Sequence, residues 1–275
     1  MNFWQRISFI DRRWIYLLVA LSVLFPMIVP MQCPVGISPE ARQLFEAIDS
    51  LPDGSKVMLT FDYYPSTIAE TEPMSIVALR HMFSKDMKVV TLSNIPLGGP
   101  SIAERVTRDI ATEFGKTYGI DYVNLGYKAG YVAVMHGLAS SIERIFPSDY
   151  TGTPLRELPL MQHVENYRDL EFILAVADNA TVDYWISIVN AQYDIPVGAG
   201  VTAVVAPKMY SFLEAGQLTG LLGGMKGAAE YEKLFKREAD ATRGMGSQSI
   251  VHLLIIFFVV LGNLGFFIHK EKQNK

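Results

Sequence analysis

The fold is decided by residues 56–64, KVMLTFDYY, an apolar run that follows the turn PDG and stops at Pro65. Apolar residues bounded by turn residues in this way predict a β-strand. Similar runs lie at 87–94, 121–127, 171–178 and 197–207, and helical patterns separate them at 73–85, 101–119, 130–146 and 181–194. Strands that alternate with helices pair in parallel. The sequence therefore predicts an α/β domain with a doubly wound, mostly parallel, Rossmann-like sheet of about five strands.

Two uncharged apolar stretches flank this domain. Residues 14–31 read WIYLLVALSVLFPMIVPM and residues 250–268 read IVHLLIIFFVVLGNLGFFI. At about 1.5 Å per residue, each is long enough to cross the core of a bilayer as a helix. A cleaved signal peptide is the alternative for the first stretch, but the following VPMQCPVG lacks a small-x-small cleavage site. We therefore predict a transmembrane helix at each end.

Basic residues predict the orientation of the two spans. Arginines precede the first span and lysines follow the second, at Arg6, Arg12, Arg13, Lys270, Lys272 and Lys275. Because basic flanks stay on the cytoplasmic side, we expect a two-pass protein of the inner membrane with both termini in the cytoplasm and its main domain in the periplasm. The predicted segments are 1–13 (cytoplasmic or interfacial), 14–31 (span), 32–243 (extracytoplasmic α/β domain), 244–249 (linker), 250–268 (span) and 269–275 (cytoplasmic tail).

Charge and cysteine content exclude some classes of protein. Residues 32–249 carry 18 Lys and Arg against 26 Asp and Glu, a net charge of −8. Nucleic-acid binding needs a basic surface, so we expect no nucleic-acid partner. A single cysteine, Cys33, excludes an intrachain disulfide.

Residues 216–230, GQLTGLLGGMKGAAE, contain five glycines within a region, 208–243, that the pattern predicts to be helical. The spacing fits neither a phosphate-binding P-loop nor a dinucleotide-binding glycine motif. Four small residues recur every four positions, which would align them on one helical face: Gly216, Gly220, Gly224 and Ala228. Such a stripe allows close helix packing. Packing within the domain, an oligomer contact and a ligand contact all remain open, and Asn263 in the second span is a further candidate for a contact between helices.

The two end segments IDRRWIYLLVAL (10–21) and GQLTGLLGGMKGAAEYE (216–232), together with FDYYPST and GYKAG, carry a resemblance that covers most of the chain. The sequence resembles an uncharacterised family of bacterial membrane-anchored α/β proteins with one transmembrane helix at each end. The resemblance implies this architecture. It implies no catalytic residues, because no activity is assigned to that family.

Polar side chains follow several predicted strands. Ligands of open parallel sheets bind beyond the carboxyl ends of the strands. The candidates for a ligand-binding rim are Asp62, Tyr63, Asn94, Tyr127, Lys128, Asp178 and Asn179. Each has a structural alternative: the Asp and Asn side chains commonly cap helices or bond their own turns, and Lys128 can be a solvated charge in a loop.

Standard catalytic and metal-binding motifs are missing, including HExxH, GxSxG and CxxC, and the histidines are widely separated. We therefore predict no metal site and no cofactor, and the sequence favours a protein that is not an enzyme.

Two functions remain. The first is a membrane-anchored interaction or scaffold protein that assembles with itself or with another membrane protein. The second is a small-molecule-binding domain or hydrolase-type enzyme with its site at the rim. It requires that Asp62, Lys128 and Asp178 converge on one pocket.

Overall fold

The computed structural model of the 275-residue chain describes residues 11–29, 36–237 and 239–273, without the side chains of residues 27 and 267–273. Most of the predicted interfacial segment, the last two residues of the predicted first span and Cys33 lie outside the described residues. The chain divides into two units, Met1–Pro34 with Thr242–Lys275, and Val35–Ala241. The second unit is the α/β domain.

The predicted parallel sheet is confirmed, with one strand more than expected. Its strands are β1 (Lys56–Asp62), β2 (Lys88–Ser93), β3 (Tyr122–Tyr127), β4 (Phe172–Ala177), β5 (Val197–Val201) and β6 (Leu221–Gly223). They pair in the order β3-β2-β1-β4-β5-β6, and every pair is parallel. This is the strand order of doubly wound dinucleotide-binding folds, which reverses direction between β1 and β4.

The helices follow the predicted alternation. They are α1 (Arg12–Ile28), α2 (Pro39–Asp49), α3 (Ile68–Ser84), α4 (Gly99–Glu113), α5 (Tyr131–Leu138), α6 (Ile142–Ile145), α7 (Thr181–Tyr184), α8 (Ala191–Tyr193), α9 (Ala206–Glu214), α10 (Gly224–Leu234) and α11 (Asp240–Gln273). The helix predicted at 130–146 is broken between α5 and α6, where Ser141 caps α6 by accepting from the backbone N–H of Arg144. A π-helical turn, Trp185–Asn190, joins α7 to α8.

The prediction of one helix over 208–243 is wrong. The chain leaves α9, turns at Gly216 with φ +70°, forms β6 and enters α10 at Gly224 with φ +60°. Both φ values lie in the left-handed region, which favours glycine and interrupts a helix. Leu221 and Leu222 are fully buried where β6 pairs with β5. The small-residue stripe of Gly216, Gly220, Gly224 and Ala228 therefore does not lie on one helical face.

Close backbone approach explains two of the five glycines in residues 216–230. A Cβ on Gly220 would lie 2.3 Å from the backbone nitrogen of Leu44 in α2, and one on Gly227 would lie 2.8 Å from the Cα of Leu222. Neither neighbour is a flexible side chain that could move aside. Of the three contacts left open for this stretch, packing within the domain is the one that these two positions make.

The terminal unit contains α1 and most of α11. Helix α1 has 17 residues and exposes large apolar side chains such as Leu21 and Phe25. Among the described residues, one helix is long and apolar enough to cross a membrane, the Asp240–Phe266 part of α11, and its most apolar stretch is not buried. The hydroxyl of Ser247 in α11 donates to the carbonyl of Val23 in α1 at 3.4 Å. Residues 244–249, predicted as a linker, continue α11 as helix.

Candidate functional site

Four of the seven rim candidates form one hydrogen-bonded network at the reversal of strand order. At its centre is the carboxylate of Asp62, the last residue of β1. Its Oδ1 accepts from the backbone N–H of Asn94 at 2.6 Å, and its Oδ2 accepts from the hydroxyl of Thr60 at 3.0 Å and the indole N–H of Trp185 at 3.0 Å. The side-chain amide of Asn94 lies within 3.2 Å of both oxygens. The sheet supplies Thr60 because residues two apart on a strand share a face.

Asp62 is fully buried, and among the described residues no Lys or Arg forms an ion pair with it. Burial raises the pKa of Asp62, and the hydrogen bonds from Asn94, Trp185 and Thr60 oppose that rise. The carboxyl group is therefore occupied by donors of its own chain and is closed to solvent. Its geometry suits joining β1 and β2 to the helix that follows β4.

Asp178 and Asn179 tie the loop after β4 to the loop after β1. Oδ2 of Asp178 accepts from the backbone N–H of Tyr64 at 2.9 Å and the hydroxyl of Thr67 at 2.7 Å. Asn179 donates to the Asp62 carbonyl at 2.6 Å and accepts from the N–H of Thr181 at 2.9 Å. The local alternative predicted for Asn179 is therefore present, since it bonds the first turn of α7.

This arrangement has a consequence for anions. In doubly wound folds, a phosphate sits against the backbone at the start of the helix that follows the first strand. Here the carboxylate of Asp178 accepts from the Tyr64 N–H and the Thr67 hydroxyl in the connection between β1 and α3, just before that helix begins at Ile68. A negatively charged side chain fills the position and would repel a second anion.

Tyr63 does not belong to the rim. Its ring is fully buried and its hydroxyl lies 3.3 Å from that of Ser75 in α3. Burial raises the pKa of this hydroxyl far above its ordinary value. The side chain is part of the core between the sheet and α3.

The remaining candidates, Tyr127 and Lys128, lie at a different place. They line a surface cavity of about 450 Å³ at the carboxyl end of β3, opposite residues 145–150. The ammonium group of Lys128 donates to the carbonyl of Ile145 at the end of α6. Asp62 and Asp178 do not line this cavity. The convergence of Asp62, Lys128 and Asp178 that the ligand hypothesis required is therefore not found.

A bulge in β3 shapes this cavity. The register with β2 shifts between the pairs Thr91–Asn124 and Ser93–Tyr127. The Asn124 side chain supports the bulge, because its Oδ1 accepts from the Gly126 N–H at 3.0 Å and its amide donates to the Pro100 carbonyl at 3.3 Å. Bulges redirect side chains and are frequent beside functional sites. This one directs the end of β3 into the cavity.

Two residues of the cavity wall that the sequence did not single out are Asp149 and Tyr150. The buried carboxylate of Asp149 accepts from the Tyr118 hydroxyl at 2.7 Å and from the backbone N–H groups of Thr151 at 2.9 Å and Thr153 at 2.8 Å. It thereby folds the segment that presents Tyr150. The spacing D-x-T-x-T is typical of an Asp that bonds its own turn, and it could have identified this loop.

A third polar cluster lies away from the sheet ends, between α2, α3 and α10. His81 is buried, with Nδ1 2.8 Å from the Tyr231 hydroxyl and Nε2 3.2 Å from the Asp49 carboxylate. Phe45 stacks on its ring at 4.6 Å between centroids. Because Tyr231 is fully buried, no ligand reaches its hydroxyl, and the cluster joins three helices. Within the described residues, no group of three or more His, Cys, Asp or Glu is arranged to hold a metal ion.

Comparison with family models, with curated proteins and with solved structures finds no match for this chain. The resemblance to bacterial membrane-anchored α/β proteins therefore stays a prediction from the sequence.

Proposed function

We propose that this protein is a membrane-anchored α/β interaction or scaffold domain, a subunit of a membrane assembly of identical or different chains. The observation that carries the proposal is α11, whose Asp240–Phe266 part is long and apolar enough to cross a bilayer and leaves its apolar side chains exposed. Exposed side chains of this kind need lipid or another protein as their surroundings.

The proposal includes a second span at residues 14–31, with both termini in the cytoplasm and the α/β domain in the periplasm. Basic residues before the first stretch and after the second support this orientation. The exposed apolar surface of α1 and the contact from Ser247 to Val23 support the insertion of both helices side by side.

The contacts made at the carboxyl ends of the strands favour an interaction protein over an enzyme. At the strand reversal, where this fold binds cofactors, Asp62 and Asp178 are bonded to neighbouring groups of their own chain. A general acid or base must reach the proton it transfers, and the buried Asp62 carboxyl does not reach solvent.

Contacts of the assembly would use the exposed faces of the spans. Asn263 is exposed and donates to the Val259 carbonyl of its own helix at 2.8 Å, while a Cβ on Gly262 or Gly265 would meet none of the described residues within 4 Å. Small residues and an amide on one helix are typical of contacts between spans.

Cysteine labelling tests the topology. In a Cys33→Ser background, Asp53→Cys places a thiol on the α/β domain and Lys272→Cys places one in the C-terminal tail. The side chain at position 53 is 76% exposed, so access to reagent is not limiting there. A maleimide that does not cross membranes should label only position 53 in cells with a permeable outer membrane. Labelling of position 272, or of neither position before lysis, would contradict the orientation.

A second candidate function is small-molecule binding. It is favoured by one specific observation, the cavity of about 450 Å³ beside the β3 bulge. Its volume lies within the range of about 300–1,000 Å³ that is usual for ligand sites.

A further inference from the structure

We infer that the cavity at the carboxyl end of β3 binds a small anion that carries a flat ring, an aromatic carboxylate or phosphate. Lys128 would meet the anionic group, and Tyr127 and Tyr150 would meet the ring. This inference rests on the second candidate function and supplies the class of ligand.

Lys128 provides the charge. Within the described part of the chain it forms no ion pair with a carboxylate, and the Ile145 carbonyl holds its ammonium group at the cavity wall. A lysine ammonium has three N–H donors, so this single bond leaves two for a ligand. Bonds from an ammonium to a carboxylate or phosphate are among the stronger hydrogen bonds of proteins.

The other charged residue of the lining is Asp149, and it is already occupied. One oxygen accepts from the Tyr118 hydroxyl, and the other accepts from the backbone and hydroxyl groups of Thr151 and from the backbone of Thr153. The side chain is buried behind the loop that it folds. Lys128 is therefore the charged group of the cavity that is left with free bonding capacity.

Two aromatic rings provide the apolar walls. Tyr127 is 38% exposed and Tyr150 is 44% exposed, although both are large side chains of a packed domain. Gly126, with φ +81°, brings the backbone against Tyr150, and a Cβ there would lie 3.4 Å from the Tyr150 ring. Rings exposed in this way bind planar groups by offset stacking or edge contacts.

Calorimetric titration of the full chain in detergent tests the inference, with 2-naphthoate and 2-naphthyl phosphate as anionic probes and 2-naphthamide as the neutral match. Lys128→Met removes the charge, and Lys128→Arg retains it. Lys208→Met is the matched control. Lys208 is an exposed lysine in α9, it forms an ion pair with Asp183 of α7, and it does not line the cavity. Thermal unfolding of each variant verifies that it is folded.

We expect at least one anionic probe to bind and Lys128→Met to weaken it about tenfold, the usual effect of losing one charge-assisted bond. Lys128→Arg and Lys208→Met should bind as the unaltered protein does. The inference is overturned if neither anion binds, if Lys128→Met leaves the affinity unchanged, or if 2-naphthamide binds as well as 2-naphthoate. The proposed contacts of the assembly lie on the spans and not in the cavity, so unaltered labelling at position 53 alongside absent binding would remove this inference and leave the proposed membrane topology standing.

Discussion

Removal of the Asp62 carboxylate should destabilise the α/β domain strongly if the network at the strand reversal is structural. In Asp62→Ala, the backbone N–H of Asn94 and the indole N–H of Trp185 lose acceptors at 2.6 and 3.0 Å in a fully buried place. An unsatisfied buried donor costs about 1–3 kcal/mol. The side-chain amide of Asn94 loses its acceptor as well, so three N–H donors are left without the carboxylate, and at about 1–3 kcal/mol each we expect a loss of roughly 3 kcal/mol or more.

Urea unfolding followed by far-ultraviolet circular dichroism measures this loss on the detergent-solubilised chain. Asp62→Asn keeps one acceptor oxygen and should cost less, about half as much. Asp53→Ala, at an exposed carboxylate, is the control and should change the free energy of unfolding by less than about 0.5 kcal/mol. A carboxylate retained for function is often dispensable for stability. An Asp62→Ala variant as stable as the unaltered protein, or more stable, would refute the structural interpretation.

Three further predictions concern other parts of the domain. Burial lowers the pKa of His81, so the unfolded chain takes up a proton at a higher pH than the folded chain does. The contribution of His81 to stability should be complete above the ordinary histidine pKa of about 6.5 and should be lost as the pH falls from there through the folded pKa. His81→Gln should flatten this pH dependence in urea unfolding at about pH 5 to 8. Gly220→Ala places a Cβ against the backbone of α2 and should cost about 2–3 kcal/mol. Gly36→Ala, whose Cβ would meet none of the described residues within 4 Å, should be neutral. Equal melting temperatures for the two variants would contradict the close approach at Gly220. The Glu232 carboxylate accepts from the backbone N–H groups of Ala239 and Ala241 at the start of α11. Glu232→Ala should therefore speed hydrogen exchange of the Ala241 amide about tenfold. Unchanged exchange would show that the carboxylate does not stabilise the start of α11.

The sequence predicted the sheet well because buried parallel strands are continuous apolar runs with turns at both ends. Runs such as 56–64 and 171–178 in the sequence became β1 and β4 with boundaries shifted by no more than two residues. The short strand β6 was missed for a physical reason. Its three residues lie inside a run of leucines at helical spacing, and their pairing with β5 depends on long-range contacts that local periodicity does not report.

The candidate site, too, could be predicted from the sequence only in part. Asp62, Asn94, Asp178 and Asn179 were placed at the correct edge of the sheet, because the ends of parallel strands meet there. Their partner Trp185 comes from the π-helical turn, more than a hundred residues along the chain from Asp62, and no local pattern indicates that contact. Likewise, the edge location of Lys128 was predicted, but its separation from Asp62 follows from strand order, which a strand list alone does not determine.

Native mass spectrometry of the complex, extracted gently in detergent and with its co-purifying proteins identified, would show whether the protein is a subunit of a membrane assembly. We expect a particle of two or more copies, or of one copy with a defined membrane partner, that Asn263→Leu weakens. A homogeneous particle of one chain with no partner, unchanged by Asn263→Leu, would contradict it.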